Sequence, residues 1–129
     1  MKLVIIESPY KGNVPRNKLY LRACIRDCIM RGESPYASHR MLTDALDDDD
    51  PRERELGIHA GLAWRHARVP IRDSDGAVIG HAPVQHVFYI DLGWSRGMLL
   101  AKSTYDNDKI TYEERKLPWT ALSKIDIDQ

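Results

Sequence analysis

The chain has 129 residues, enough for one domain with a real core and short for two. Nineteen Lys and Arg balance nineteen Asp and Glu, which argues against bulk electrostatic binding to nucleic acid or to an anionic membrane. With 43% apolar and 29% charged residues the chain is too apolar for disorder, and no apolar run is long enough to span a bilayer.

Residues 2–6 (Lys2-Leu3-Val4-Ile5-Ile6) read as a short strand buried on both faces. The run is too short for the apolar core of a secretory signal, so a cytoplasmic protein is expected. Glu7-Ser8-Pro9-Tyr10-Lys11-Gly12 closes it with turn residues. Asn13 can cap a helix over 14–31, with Pro15 in its first turn and Gly32 as its stop. Leu21, Cys24, Ile25 and Cys28 form the inward stripe of that helix. The two cysteines run parallel on it, a poor geometry for a bridge, and read as buried thiols of a reducing compartment.

A second strand is expected over Glu33 to Ala37, with Ser38 and His39 at its C-terminal end. Asp47-Asp48-Asp49-Asp50-Pro51-Arg52-Glu53 then combines Asp50 as cap, Pro51 in first position and Glu53 in third, a helix start resembling a capping box. The helix is expected to reach about His66 with Leu56, Ala60, Ala63 and Trp64 inward. Gly57 and Gly61 would admit a neighbouring backbone. Arg68 to Pro83 has the pattern of a β-hairpin turning at Asp73-Ser74-Asp75-Gly76. Val84 to Ile90 is another buried strand. Asp91-Leu92-Gly93-Trp94-Ser95-Arg96-Gly97-Met98 opens a helix through about Lys102, and a last strand is expected near Lys109–Glu113.

Strands alternating with helices predict a single α/β domain over 1–129 with a mainly parallel sheet and a small hairpin insertion near 68–83. In such sheets ligands bind beyond the carboxyl ends of the strands. Glu7 to Tyr10, Ser38-His39 and Asp91 to Gly97 all fall there. Gly93, Ser95, Arg96 and Gly97 offer backbone N–H groups, a hydroxyl and a guanidinium at a helix start, suited to phosphate or carboxylate; the other reading is a tight turn capped by Asp91 or Ser95. Glu7 is a candidate cleft carboxyl, Tyr10 a candidate stacking group and His39 a candidate polar contact, against the alternatives of a plain turn and a structural histidine. No Ser/His/acid set can be argued from the order of residues. The tetra-Asp run lacks the Gly and terminal Glu of a calcium loop, and the histidines at 39, 59, 66, 81 and 86 lack zinc spacing, so neither metal nor cofactor is expected.

Taken together, these pieces resemble the nucleoside 2-deoxyribosyltransferase-like superfamily, closest to its short members from bacteriophages and actinobacteria. The matching residues are Ile5-Ile6-Glu7-Ser8-Pro9-Tyr10, Asn17 and Tyr20, Arg31-Gly32-Glu33-Ser34-Pro35-Tyr36-Ala37-Ser38-His39, Leu46-Asp47-Asp48, Gly57-Ile58 to Trp64, and Tyr89-Ile90-Asp91-Leu92-Gly93-Trp94-Ser95-Arg96-Gly97-Met98. The resemblance implies a flavodoxin-like three-layer sandwich with a nucleoside or nucleotide pocket, in which an N-glycosidic bond is cleaved or transferred. It also implies a homo-oligomer, for which Trp64, Trp94 and Trp119 are candidate contacts.

Family enzymes use a glutamate in the last strand–helix turn and a tyrosine on the first strand. Here the glutamate's place falls on Gly97 or Leu99 and the tyrosine's on Ile5. Glu7 and Asp91 are therefore the catalytic candidates. Ser8, Pro9, Tyr10, Asn17, Ser38, His39, Gly93, Ser95, Arg96 and Gly97 are the substrate-binding ones. The alternative is a binding protein that keeps the pocket without the chemistry, for example a phage protein sequestering a host immune nucleotide signal.

Overall fold

Val4, Ile5 and Ile6 are all buried, as an unbroken apolar run requires of a strand covered on both faces. They belong to β1 (Lys2–Glu7) of a computed structural model that describes residues 1–125. The chain continues through α1 (Val14–Met30), β2 (Glu33–Tyr36), α2 (Ser38–Ala45) and α3 (Pro51–Leu62), which ends in a 3-10 turn (Ala63–His66). After β3 (Arg68–Arg72) and β4 (Val78–Pro83) come β5 (Gln85–Tyr89), α4 (Arg96–Asn107), β6 (Glu113–Arg115) and α5 (Trp119–Leu122). Four strands form a parallel sheet in the order β2-β1-β5-β6, and β3 pairs antiparallel with β4 as a separate hairpin. This is the expected α/β architecture. No helix among the described residues is long and apolar enough to cross a membrane.

Side chains alternate across a strand, so the sheet divides its core in two. Val4 and Ile6 of β1 and Val87 and Tyr89 of β5 pack with Tyr20, Leu21, Cys24 and Cys28 of α1. Phe88, between Val87 and Tyr89, turns to the opposite face and packs with Met98, Ala101 and Tyr105 of α4. The helix starts follow their caps: Asn13 accepts from the Arg16 N–H at 3.2 Å, Asp50 from that of Arg52 at 2.9 Å, and Ser95 from that of Met98 at 3.2 Å. Gly32 closes α1 with φ 82°. Both cysteines are free and buried, as their helical spacing suggested.

Several expectations change. Residues 38–45 form a helix where only a strand end was foreseen; its exposed Arg40–Asp44 pair at i,i+4 is the sequence signal for it. Leu56 and Trp64 are 56% and 50% exposed, and Ala60 and Ala63 also face outward, while Gly57, Ile58, Gly61 and Leu62 form the inner side of α3. The glycines decide this. A Cβ on Gly61 would stand 2.8 Å from Ser38 Oγ and one on Gly57 3.1 Å from Leu46 Cδ1, so α2 and its C-terminal residue close on the face without side chains. The approaching groups are thus side chains rather than a backbone. Glu53 does not return a bond to Asp50, but accepts from the Asp47 N–H at 3.3 Å. Helix α4 runs on to Asn107, and Lys109 adopts a left-handed φ of 58°, which delays the last strand to Glu113.

The two edge strands are joined over the α1 face. Arg115 on β6 reaches Glu33 on β2 with Nη1–Oε1 2.8 Å and Nη2–Oε2 3.1 Å, a bidentate pair with both side chains under a tenth exposed. Arg115 also donates to the Tyr89 hydroxyl at 3.1 Å, and that hydroxyl donates to Asp27 at 2.6 Å. Arg115 also bonds Glu113 at 3.2 Å, but that carboxylate is 45% exposed, so removing Glu33 leaves a buried guanidinium paired only at the rim. Glu33→Gln is expected to cost about 3 kcal/mol in urea denaturation, and Glu33→Gln with Arg115→Met to cost less than the two single changes added.

Candidate functional site

From β1 the chain crosses through α1 to β2 on one side, while β5 lies on the other side of β1. The crevice beyond the carboxyl ends of β1 and β5 is therefore the topological switch point, where open parallel sheets place their ligands. A cavity of about 530 Å³ occupies this end of the molecule. Its walls are the β1–α1 loop (Glu7, Ser8, Tyr10, Lys11, Gly12), α2 (Ser38, His39, Leu42, Thr43), the glycine-bearing face of α3, and the start of α4 (Ser95, Arg96, Gly97, Met98).

Glu7 is the last residue of β1 and points to the α4 face, opposite Phe88. The Tyr105 hydroxyl donates to its Oε1 at 2.9 Å. Glu7 lines the cavity, and Oε2 has no hydrogen-bond partner among the described residues. Burial lifts the Glu7 pKa to about 7, and the Tyr105 bond pulls against that rise. A carboxyl at that value exchanges a proton near neutrality.

Next to it, Ser8 Oγ lies 2.8 Å from His39 Nε2. His39 is the second residue of α2, and burial lowers its pKa to about 4, so the imidazole is neutral. Its Nδ1 is enclosed with no partner among the described residues. A serine and a histidine are thus in contact, but no acid among the described residues orients the ring, so these residues do not make up a catalytic triad. The loop that carries Ser8 and Tyr10 is held by buried Asn17, which donates to the carbonyls of Tyr10 at 2.8 Å and Lys11 at 3.3 Å.

At the opposite wall Ser95 spends its hydroxyl oxygen as the α4 cap. The first-turn N–H groups of Arg96 and Gly97 stand beside an Arg96 guanidinium that has no hydrogen bond or ion pair among the described residues. An anion fits this corner. Lys11 and Arg54 stand elsewhere on the wall, with Asp48 and Glu53 near them. No group of three or more His, Cys, Asp or Glu among the described residues is placed to hold a metal.

Of the residues singled out in the sequence, Glu7, Ser8, Tyr10, Ser38, His39, Ser95, Arg96 and Gly97 line the cavity. Asp91, Pro9, Asn17 and Gly93 do not. Asp91 is two residues past Tyr89 and so on the α1 face, where its carboxylate accepts from the Tyr20 hydroxyl at 2.6 Å and from the Leu117 N–H at 3.0 Å. It ties α1 and the tail to the end of β5. Gly93 supplies a left-handed turn, φ 84°, with its N–H bonded to the Ile90 carbonyl at 3.0 Å. Tyr105 lies beyond the helix end expected near Lys102; in the full length of α4, Met98, Ala101 and Tyr105 make an i, i+3, i+7 stripe.

Folding raises the Glu7 pKa, so the folded chain holds that proton more tightly than the unfolded one. The associated stability is complete below the ordinary carboxylate value and is lost as pH rises through about 7. Glu7→Gln cannot ionise, and is expected to be more stable than the natural protein by on the order of 2 kcal/mol near pH 9 and by nothing near pH 4. Denaturant midpoints across that range check this.

The profile of a family described as a domain of unknown function (DUF7768) matches residues 2–69. No curated protein and no solved structure matches the chain. The matched span carries Glu7, Ser8 and His39 with the α2–α3 wall, while the anion corner and Tyr105 lie beyond it. The chain belongs to the DUF7768 domain family.

Proposed function

We propose that the protein cleaves or transfers at the N-glycosidic bond of a nucleoside or nucleotide, on a flavodoxin-like three-layer sandwich resembling the nucleoside 2-deoxyribosyltransferase-like superfamily. One observation carries the reading: a carboxyl on the wall of a switch-point cavity, with one oxygen tied to Tyr105 and the other without a partner among the described residues. N-glycosidic cleavage builds positive charge on the anomeric carbon, and a carboxylate beside it serves as nucleophile or electrostatic partner.

In the ionised form, Glu7 Oε2 attacks the anomeric carbon. The C–N bond breaks with its electron pair going to the base, which takes a proton from water as it leaves. Water or a second base then attacks the glycosyl ester and restores the carboxylate. Arg96 and the first-turn amides of α4 hold a 5′-phosphate, and Tyr10 stacks on the base. His39, neutral and bonded to Ser8, lines the cavity without adding a competing charge.

A second reading is a protein that binds a nucleotide reversibly. It is favoured by Gly97 and Leu99, which leave the start of α4 without a carboxylate.

Incubation with a panel of nucleosides, mononucleotides and cyclic or ADP-ribose-type nucleotides, followed by chromatography with and without denaturation, separates the two. Release of free base is expected, reduced by a factor of about 10³ or more in Glu7→Gln and retained in Asp91→Asn. Recovery of intact nucleotide only after denaturation supports the binder instead. Arg96→Ala is expected to raise KM for a monophosphate about tenfold more than for the corresponding nucleoside.

A further inference from the structure

Beneath the cavity, α4 lays a group of aromatic rings against β5. Tyr105 is 1% exposed, and its ring centroid lies 4.5 Å from that of His86, 5.7 Å from Phe88 and 6.2 Å from Tyr112. The ring is packed among these three, and its hydroxyl donates to Glu7 Oε1 at 2.9 Å. A hydroxyl donating to a carboxylate stabilises the ionised form and restricts rotation of the group. We propose that Tyr105 is a positioning residue of this site: its hydroxyl holds Glu7 Oε1, turns Oε2 to the ligand, and governs how readily the carboxyl gives up its proton. The inference rests on the proposed role of Glu7 and assigns its control to a residue outside the cavity wall.

The groups around Glu7 leave this control to Tyr105. His86 on β5 faces the same side, and burial pushes its pKa down, as it does that of His39 on α2. Burial disfavours the charged form of both rings, and neither is hydrogen-bonded to Glu7 among the described residues. Arg65, in the 3-10 turn, is occupied by Asp108 at 2.7 Å. Lys11, Asp48, Glu53, Arg54 and Arg96 stand on the cavity walls, none of them hydrogen-bonded to Glu7. Burial lifts the Glu7 pKa and the Tyr105 hydroxyl opposes that rise.

The test follows the Glu7 carboxyl by NMR in protein carrying side-chain-labelled glutamate, with Glu7→Gln assigning the signal. Tyr105→Phe removes the donor, and its titration midpoint is expected to rise by about one unit. Site-specific 3-fluorotyrosine at position 105 keeps the ring and strengthens the donor, so the midpoint is expected to fall. The ascending limb of base release against pH moves with each midpoint, while KM changes by less than about threefold. A Glu7 midpoint that neither replacement moves overturns the inference, as does a loss in Tyr105→Phe that is equal at every pH. Midpoints that move in a protein releasing no base uphold the tie between Tyr105 and Glu7 and overturn the proposed reaction.

Discussion

The period of two along β1 and β5 is the constraint on which the rest of the molecule depends. Every side chain on these central strands faces either α1 or α4, and the parity is set by burying Val4 and Ile6 with Val87 and Tyr89 against α1. Once that choice is made, Glu7 must face α4 and Asp91 must face α1. Two acids that end neighbouring strands are thereby sent to opposite faces. One becomes a cavity carboxyl with a raised pKa, and the other a fully bonded tie between α1, the tail and β5. A shift of one residue in either strand would exchange their roles and empty the core.

The cavity is made by absent side chains as much as by those present. Gly57 and Gly61 let Ser38 and Leu46 approach α3 to contact distance, and this fixes the α2–α3 wall facing α4. Neither helix contributes much core: α3 buries none of its residues and α2 only Ser38. Stability is concentrated elsewhere, in the apolar layers on the sheet and in the Arg115–Glu33 pair that spans its α1 face. The structure thus separates a rigid sheet, which aims Glu7, from a wall set by close helix contact.

Electrostatics at the site are set by burial more than by charge. The carboxyl of Glu7 and the imidazole of His39 are both pushed toward their neutral forms, the first upward and the second downward. Around neutrality the cavity floor therefore carries one group able to change its charge beside one that does not. Formal charge stands at the walls, in Lys11, Arg54 and Arg96 against Asp48 and Glu53. The cavity thus joins buried polar groups held toward neutrality to a wall that carries formal charge.

The sequence by itself determined the strands, because apolar runs such as Val4–Ile6 cannot remain in water, and the helix starts, because Asn13, Asp50 and Ser95 satisfy local N–H groups wherever the chain goes. It also placed Glu7, Ser8, His39 and Arg96 at strand ends, since parallel α/β order sends those ends to one side. Only the tertiary structure decided which acid faces the cavity, which side of α3 turns inward and how far α4 runs. Face parity depends on which helix covers which side, and Leu56 lost to Gly57 because close approach of α2 outweighed its apolar area. Tyr105 met Glu7 across 98 residues of chain, a distance that no local pattern encodes.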